Sequence, residues 1–468
     1  GGFLDPGRPY GGHGLGDVGG DGGIMLDYQE REIYMITLRD VIVDVSPEAD
    51  PLLHHGCRVY LRLNDRLSSS WWYDSHKSWL IQALTTPFPF PRGSRTPAIP
   101  SSSSCRYLPY ALSITQRWAS LNYFHFMAES LSRLVGGLDV INARINGFNP
   151  DGTDGTELHT NASETSACRG RGRLSTEQLR RMPILLSRVL SYRRSSLDRI
   201  DTSSAPLRDD ESSFIEQALA ILSQPTASSV HDLGLAEHPL IRHTHSERIC
   251  VGQLMTVDWQ PVDLPHATDS RLDLESKPPA SLLRRVREVF RARLEPPGGA
   301  TYTGGPATDE FEEKEEIFRV VYVSRATAKS RRVVNEAELI EGLRRELERT
   351  SVAARTSVKR RRWNRYELEV FTAASLRETM QTFGSARMVV GVHGAGLTNM
   401  LFMPPGSSVV ELLLPEPCFR DYMHLAAALE LSFSFIQMPR RVYGNHVVVN
   451  TSHVVQGVAR VLWELNGG

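Results

Sequence analysis

Two glycines placed two apart at the end of an apolar run are the most chemically suggestive feature of this sequence. Met388-Val389-Val390-Gly391-Val392 leads into His393-Gly394-Ala395-Gly396 and then Leu397-Thr398-Asn399. The run suits a buried strand and Leu397 to Phe402 suits the start of a helix, so the four residues between them form a strand-to-helix turn. Open α/β sheets bind ligands at the carboxyl ends of their strands. Gly394 and Gly396 admit positive φ and close backbone approach, so the amide N–H groups of this turn and the positive end of the helix can face a diphosphate. Thr398 and Asn399 add short polar donors. The competing reading is a tight turn that uses glycine for geometry alone. The oxyanion loop of a serine hydrolase has a similar look, but that chemistry also needs a G-x-S-x-G nucleophile elbow, and the sequence contains none.

The elements around this turn are legible. Arg319–Val323, Tyr366–Phe371, Met388–Val392, Ser408–Leu414 and Ser432–Gln437 read as strands, with helical patterns between them, which predicts a parallel, doubly wound sheet. Asn335 with Glu338, and Ser375 with Glu378, have N-cap spacing ahead of the stripes Leu339/Leu343/Leu347 and Leu376/Met380/Phe383. Further forward, Ile33–Leu38, Val41–Val45 and Arg58–Leu63 read as β-rich, Asn122–Leu134 as helix, Pro183–Leu186 as a short strand and Phe214–Leu222 as helix. Arg248–Val257 follows as a strand and Ser281–Leu294 as a basic amphipathic helix. At 468 residues two domains are expected. The predicted organisation is a glycine-dense tail over 1–27, an N-terminal domain over 28–294, a Pro/Gly-rich then acidic linker over 295–316, and a C-terminal domain over 317–468.

Composition removes several function classes. A formal net charge of −1 leaves no global electrostatic case for nucleic acid or a membrane surface. No uninterrupted apolar stretch approaches the roughly 18 residues a membrane span requires. Five single cysteines lack the C-x-x-C spacing of a zinc or redox site. There is no D-x-D and no H-E-x-x-H, so no metal ligand set is predicted. Gly14-Leu15-Gly16-Asp17-Val18-Gly19 matches G-x-G-x-x-G but has neither a strand before it nor a helix after it, which removes the physical basis of dinucleotide binding. The basic run Lys359–Arg365 reads as a solvated approach to a strand, and Trp71-Trp72-Tyr73 as packing or a surface on which a sugar ring stacks.

The stretch Val389–Gly406, ending in Val410-Glu411-Leu412, resembles the signature block of family 61 glycosyltransferases. Tyr322-Val323-Ser324-Arg325 followed by Asn335-Glu336 is similar to the family's strand, Ser-Arg and Arg-Asn-Glu segment. Asn122–Leu134 resembles its N-Y-x-H-x-x-x-E-x-x-x-R-L helix. The likeness runs from about Thr37 to the C-terminus and departs at Asn149–Arg173 and Glu295–Glu316, which read as insertions. It implies an α/β, GT-B-like fold in which two Rossmann-like domains face a cleft. It also implies a nucleotide-sugar donor, most often a UDP-sugar, inversion at the anomeric carbon, and a glycan or protein hydroxyl as acceptor; no cofactor is required, and a loosely bound divalent ion stays open. The implied location is the lumen of the Golgi or endoplasmic reticulum, behind a type II anchor ahead of Gly1. In that compartment the sequons at Asn161 and Asn450 become glycosylation sites. A protein that keeps the fold and binds nucleotide or sugar without catalysis is the alternative.

Under that resemblance, donor contacts fall to Arg325, His393, Gly394, Ala395, Gly396, Leu397, Thr398 and Asn399, with Glu411 at the ribose hydroxyls. Arg325 stands just past a strand, followed by Lys329, Arg331 and Arg332. Inverting transfer needs charge stabilisation of the leaving diphosphate and a base for the acceptor hydroxyl. His125 and Glu129, four apart and so on one helix face, are the candidate bases, with Glu129 narrowly preferred as a carboxylate raised by burial and His393 a third candidate. The competing reading of His125 and Glu129 is a pair that holds the helix in place.

Overall fold

The computed structural model describes residues 3–4, 33–43, 52–54, 58–62, 105–114, 122–147, 174–187, 214–226, 228–243, 248–259, 277–294, 316–328, 330–356, 364–413, 421–438 and 446–465. Gly14–Gly19, Trp71–Tyr73, Asn149–Arg173 with Asn161, Lys329 and Lys359–Trp363 lie outside them. The chain divides into two compact units, an N-terminal one that ends at Val289 and a C-terminal one that begins at Phe290 and takes in the short β1 (Phe3–Leu4).

The N-terminal unit is organised by one long ladder. β2 (Ile33–Val43) pairs antiparallel with β9 (Arg248–Trp259) from Ile33 opposite Trp259 to Val43 opposite Ile249, and β3 (Leu52–His54) and β4 (Arg58–Arg62) add antiparallel to β2. The two β-rich segments read at 33–45 are therefore one strand, because β9 pairs with both across Arg39 opposite Gln253. On the other side, β5 (Cys105–Leu108) and β6 (Ala111–Ser113) run parallel to β9, and β7 (Ile184–Ser187) and β8 (Leu240–His243) continue in parallel. This sheet is mixed, and its Rossmann-like part is the parallel run β9-β6-β7-β8.

Helix α1 (Leu131–Ile145) packs on that parallel half. It buries Leu131, Leu134, Val135, Leu138 and Ile141, the spacing of an amphipathic helix. Gly136 and Gly137 let its backbone come close. A β-carbon at Gly137 would stand 2.9 Å from Leu112, and one at Gly136 would stand 3.0 Å from Leu282. α2 (Thr176–Arg180) opens with a Ser175/Gln178 capping box, and α3 covers Phe214–Leu222, the bounds read from its periodicity. α4 (Ala280–Arg291) buries Leu282, Leu283, Val286, Val289 and Phe290.

The C-terminal unit is the doubly wound sheet that its alternating pattern predicts. β10 (Glu316–Val323), β11 (Asn364–Phe371), β12 (Ala386–Val392), β13 (Ser408–Leu413) and β14 (Ser432–Gln437) are all parallel, in the order β14-β13-β12-β10-β11, and β1 closes the β14 edge antiparallel. On one face lie α5 (Glu336–Thr356) and α8 (Thr451–Leu465), whose Leu339, Leu343, Leu347, Val454 and Val458 join the strand side chains in one core. A second layer contains α6 (Leu376–Gly384), the 3-10 helix Ala395–Phe402 and α7 (Asp421–Ala428). Ser375 and Glu378 form the predicted capping box. Asn335, just ahead of α5, meets Glu338 as expected, donating to its Oε2 at 3.3 Å, and its side chain also takes the amide of Val449 at 3.0 Å and donates to the carbonyl of Val449 at 2.9 Å, so it tethers a distant segment as well.

Candidate active site

In this strand order the chain runs outward from β10 to β11 on one side and from β12 to β13 and β14 on the other. The neighbours β10 and β12 therefore leave a crevice at their carboxyl ends, the place where doubly wound sheets take ligands. Arg325 follows β10 and His393 follows β12, so both land at this switch point. β12 is an apolar strand buried at every position except Arg387, as a central parallel strand must be.

The turn itself is shaped by close approach. A β-carbon on Gly394 would stand 3.1 Å from Cζ of Arg325 and nearer still to its Nη1, so the guanidinium lies directly against the Gly394 backbone. Gly396 has no positive φ, contrary to the expectation, and is required by packing: its β-carbon would stand 2.7 Å from Val323. The helix that follows is a 3-10 helix, Ala395–Phe402, in which Leu397, Thr398 and Asn399 are buried while Ala395 and Gly396 are half-buried.

His393 and Glu411 form a buried pair. His393 Nδ1 lies 2.5 Å from Glu411 Oε1, and the amide of His393 donates to the Leu412 carbonyl at 3.1 Å. The ring of Tyr422 meets the imidazole edge-on at 5.0 Å between centroids. Burial, reinforced by Asp421, holds the Glu411 carboxyl above the usual range, against the opposing pull of His393 and Arg331. Glu411, expected at the ribose, is 2% exposed with Oε1 engaged by His393, so its visible work is to orient that ring.

Arg325 is anchored by main chain and glutamate. Its amide donates to Glu336 Oε1 at 3.1 Å, its Nη2 donates to the Ser330 carbonyl at 3.0 Å, and its buried Nε has no partner. Burial first, and then the charge of Arg331, lower its pKa from the ordinary guanidinium value. Arg331 has φ 58°, one of two non-glycine residues with positive φ among those described, and its charge is felt at Glu411 and Tyr422 as well. The loop therefore holds two mutually repelling cations at the carboxyl end of β10, an arrangement that an anion relieves. Arg332 Nη2 is engaged by His446 Nε2 at 3.2 Å.

In the N-terminal unit the His125/Glu129 helix begins as a π-helical turn, His125–Ser130, that passes into α1. Single π turns of this kind are frequent at functional sites. Asn122 starts it, accepting the amide of Phe124 on Oδ1 at 3.0 Å. His125 Nδ1 lies 3.0 Å from Glu129 Oε2, and Lys277 Nζ donates to Glu129 Oε1 at 3.3 Å. The carboxylate and the ammonium are 1% and 2% exposed and the imidazole 21%. Burial pushes the Glu129 pKa up, but the hydrogen bond from His125 and the charges of Lys277, His125 and Arg133 outweigh it and leave it below the usual value. This reverses the expectation of a raised carboxylate. With Glu129 ionised, His125 Nδ1 is the donor of this bond. Arg133 stacks on Trp259 with Cζ 4.4 Å from the ring centroid.

Sequence reasoning missed three partners. Lys277 lies 148 residues from Glu129, Tyr422 has no local pattern that marks it, and Glu336 was visible only as part of a family-like segment. Among the described residues no group of three or more His, Cys, Asp or Glu side chains is placed to hold a metal ion, and no helix is long and apolar enough to cross a membrane. Asn450 is exposed at the start of α8, with Oδ1 accepting the amide of His453 at 3.0 Å.

The family profile described as "Glycosyltransferase 61" matches residues 123–410, which contain the π turn, both arginines and the glycine turn. The chain is 31% identical over 164 residues to "Protein O-linked-mannose beta-1,4-N-acetylglucosaminyltransferase 2" of Tetraodon nigroviridis, over 34% of this chain and 24% of that protein. It is 35% identical over 137 residues to the protein of the same name in Takifugu rubripes, over 28% of this chain and 18% of that one. The matched stretches thus span about a quarter or less of these relatives. Since the profile covers more than half of the chain and takes in His125, Glu129, Arg325, Arg331 and the glycine turn, the chain belongs to glycosyltransferase family 61.

Proposed function

We propose that this enzyme is an inverting glycosyltransferase that moves a sugar from a UDP donor to a hydroxyl of a glycan or protein. The observation that carries the reading is the guanidinium of Arg325 lying on the backbone of Gly394 at the switch point of a parallel sheet, with Arg331 nearby and neither arginine in an ion pair among the described residues. A diphosphate supplies the negative charge this loop lacks, and the amides of the glycine turn and 3-10 helix supply donors. Arginine and amide stabilisation of the leaving group takes the place of a resident metal ion, so transfer should survive a chelator.

For the base we favour His125 over Glu129. A buried carboxylate held below its usual pKa by the hydrogen bond from His125 and the charge of Lys277 is a poor proton acceptor, whereas the imidazole is oriented through Nδ1 and keeps Nε2 free. In the proposed step the acceptor O–H loses its proton to His125 Nε2 as the oxygen bonds to the anomeric carbon. The bond from that carbon to the diphosphate oxygen breaks, and its electron pair leaves with UDP. A GT-B arrangement, in which one domain holds the donor and the other brings the base, is part of this reading. His393, oriented by Glu411, is assigned to the donor phosphate or sugar.

The relatives' printed name refers to a β-1,4 linkage, which displacement with inversion gives from an α-linked nucleotide sugar, and it puts N-acetylglucosamine first among donors to try. We further propose that the enzyme works in the lumen of the Golgi or endoplasmic reticulum, where Asn450 is open to glycosylation. A panel of UDP-sugars scored for UDP release, with and without glycan acceptors, tests the function. Release from at least one donor is expected, and UDP binding without turnover of any donor would establish the non-catalytic alternative. In the same assay Arg325→Ala should weaken UDP binding, and unchanged affinity would remove the diphosphate from this turn.

A further inference from the structure

We propose that Glu336 is the positioning residue that sets donor affinity, acting through Arg325 without touching the donor. The proposal rests on the reading that the diphosphate docks on the Gly394 turn. Glu336 is the first residue of α5, yet its carboxylate faces back to the end of β10. Oε1 accepts from Tyr322 Oη at 3.1 Å and from the amide of Arg325 at 3.1 Å, and Oε2 accepts from Ser324 Oγ at 3.0 Å. Ser324 Oγ in turn accepts the amide of Ala326 at 3.2 Å. Three groups at the end of β10, Tyr322 Oη, Ser324 Oγ and the Arg325 amide, are thereby fixed to one carboxylate, and the tyrosine among them is completely buried.

The next residue back completes the clasp. Asn335 holds Val449 by both main-chain groups, and the carbonyl of Arg332 accepts the amide of Val447 at 2.9 Å. The loop from Arg325 to Val334 is thus tied at its start by Glu336 and at its end by the 447–449 segment. Between those ties Arg325 Nη2 reaches the Ser330 carbonyl, and Arg331 is held with φ 58°. Guanidinium placement in such a loop depends on where its first amide is pinned, and that pin is Glu336. The side chain cannot itself bind an anionic donor favourably, so its contribution to donor binding is indirect.

The test compares Glu336→Ala and Glu336→Gln with the wild-type enzyme in UDP and inorganic pyrophosphate affinity, inhibition by uridine, and donor KM and kcat. Loss of the tie in Glu336→Ala is expected to weaken UDP and pyrophosphate by about tenfold or more, with uridine inhibition within about twofold of wild type. Glu336→Gln should recover most of the loss, because an amide oxygen can still accept from Tyr322 and the Arg325 amide. A folding defect alone lowers the melting temperature and leaves pyrophosphate affinity of the folded protein unchanged. Pyrophosphate and UDP affinities within twofold of wild type in Glu336→Ala, or an equal loss for uridine, would overturn the proposal. Failure of the wild type to bind UDP or pyrophosphate at all would overturn the donor site as well, which separates the two outcomes.

Discussion

The Arg325 guanidinium rests on the α-carbon of Gly394, so a β-carbon at that glycine would stand 3.1 Å from Cζ. The contact itself is with the far end of a flexible side chain, which can move, but at φ 159° and ψ 167° the Gly394 backbone lies where a side chain is strained, so the substitution also loads the turn. Gly394→Ala is expected to weaken UDP binding by about tenfold or more, which is about 1.4 kcal/mol or more. Its melting temperature should fall by roughly 2–8 °C from the strained dihedral angle, so affinity is read on the folded protein well below that range. Calorimetric titration and thermal melts check this, and wild-type affinity in the variant would mean that the contact has no part in donor binding.

His125 and Glu129 separate by role. His125→Ala should lower kcat by about two to four orders of magnitude while UDP affinity stays near wild type. Glu129→Gln should also leave UDP binding near normal and abolish most transfer, by loosening the imidazole. Full activity in either variant removes that residue from the proton path.

The same pair gives a pH signature. Glu129 has a folded-state pKa below the ordinary value near 4.5, so its contribution to stability is complete above that value and declines as pH falls through the folded one. Replacing carboxylate and ammonium together, as Glu129→Gln/Lys277→Met, avoids an unpaired buried charge. Urea midpoints at about pH 7 and about pH 4 should differ less in the double variant than in the wild type. An undiminished acid dependence would assign it to other groups.

Asn450 offers a test of compartment. Expressed through a secretory pathway, the wild-type chain should carry a glycan there that Ser452→Ala removes, seen as a mass difference on the tryptic peptide. Ser452→Ala keeps the Asn450 side chain and its bond to the His453 amide, so loss of the glycan is separated from loss of the helix cap. An unmodified wild-type peptide would sink the assignment.

The C-terminal sheet was legible because its strands are central and parallel, which forces continuous apolar runs such as Met388–Val392, and because Ser375 and Glu378 write a helix start in local chemistry. The mixed N-terminal sheet was not. Whether β2 is one strand or two depends on pairing with β9, more than two hundred residues later, and nothing within residues 33–45 encodes that. The site followed the same division. Arg325, His393 and the glycine turn stand at strand ends and were found from local pattern. The charge state of Glu129 depends on Lys277, which only the tertiary fold brings to it. Of the two properties read for Gly396, positive φ is absent and close approach is present, against Val323, since a sequence does not distinguish a glycine required by dihedral angle from one required by a neighbour.

The π-helical turn at His125–Ser130 stores its information in residue count as much as in residue type. Such a turn is an α-helix carrying one extra residue, and each residue of a regular helix turns the chain by about 100°. Deleting one position within it would leave α1 seated on its sheet, buried glycines included, while everything before the deletion swung around the helix axis. The imidazole would then point elsewhere, with every residue of the pair still present. With His125 as the proposed base, a single-residue length change at that turn would silence or re-aim transfer without touching the core.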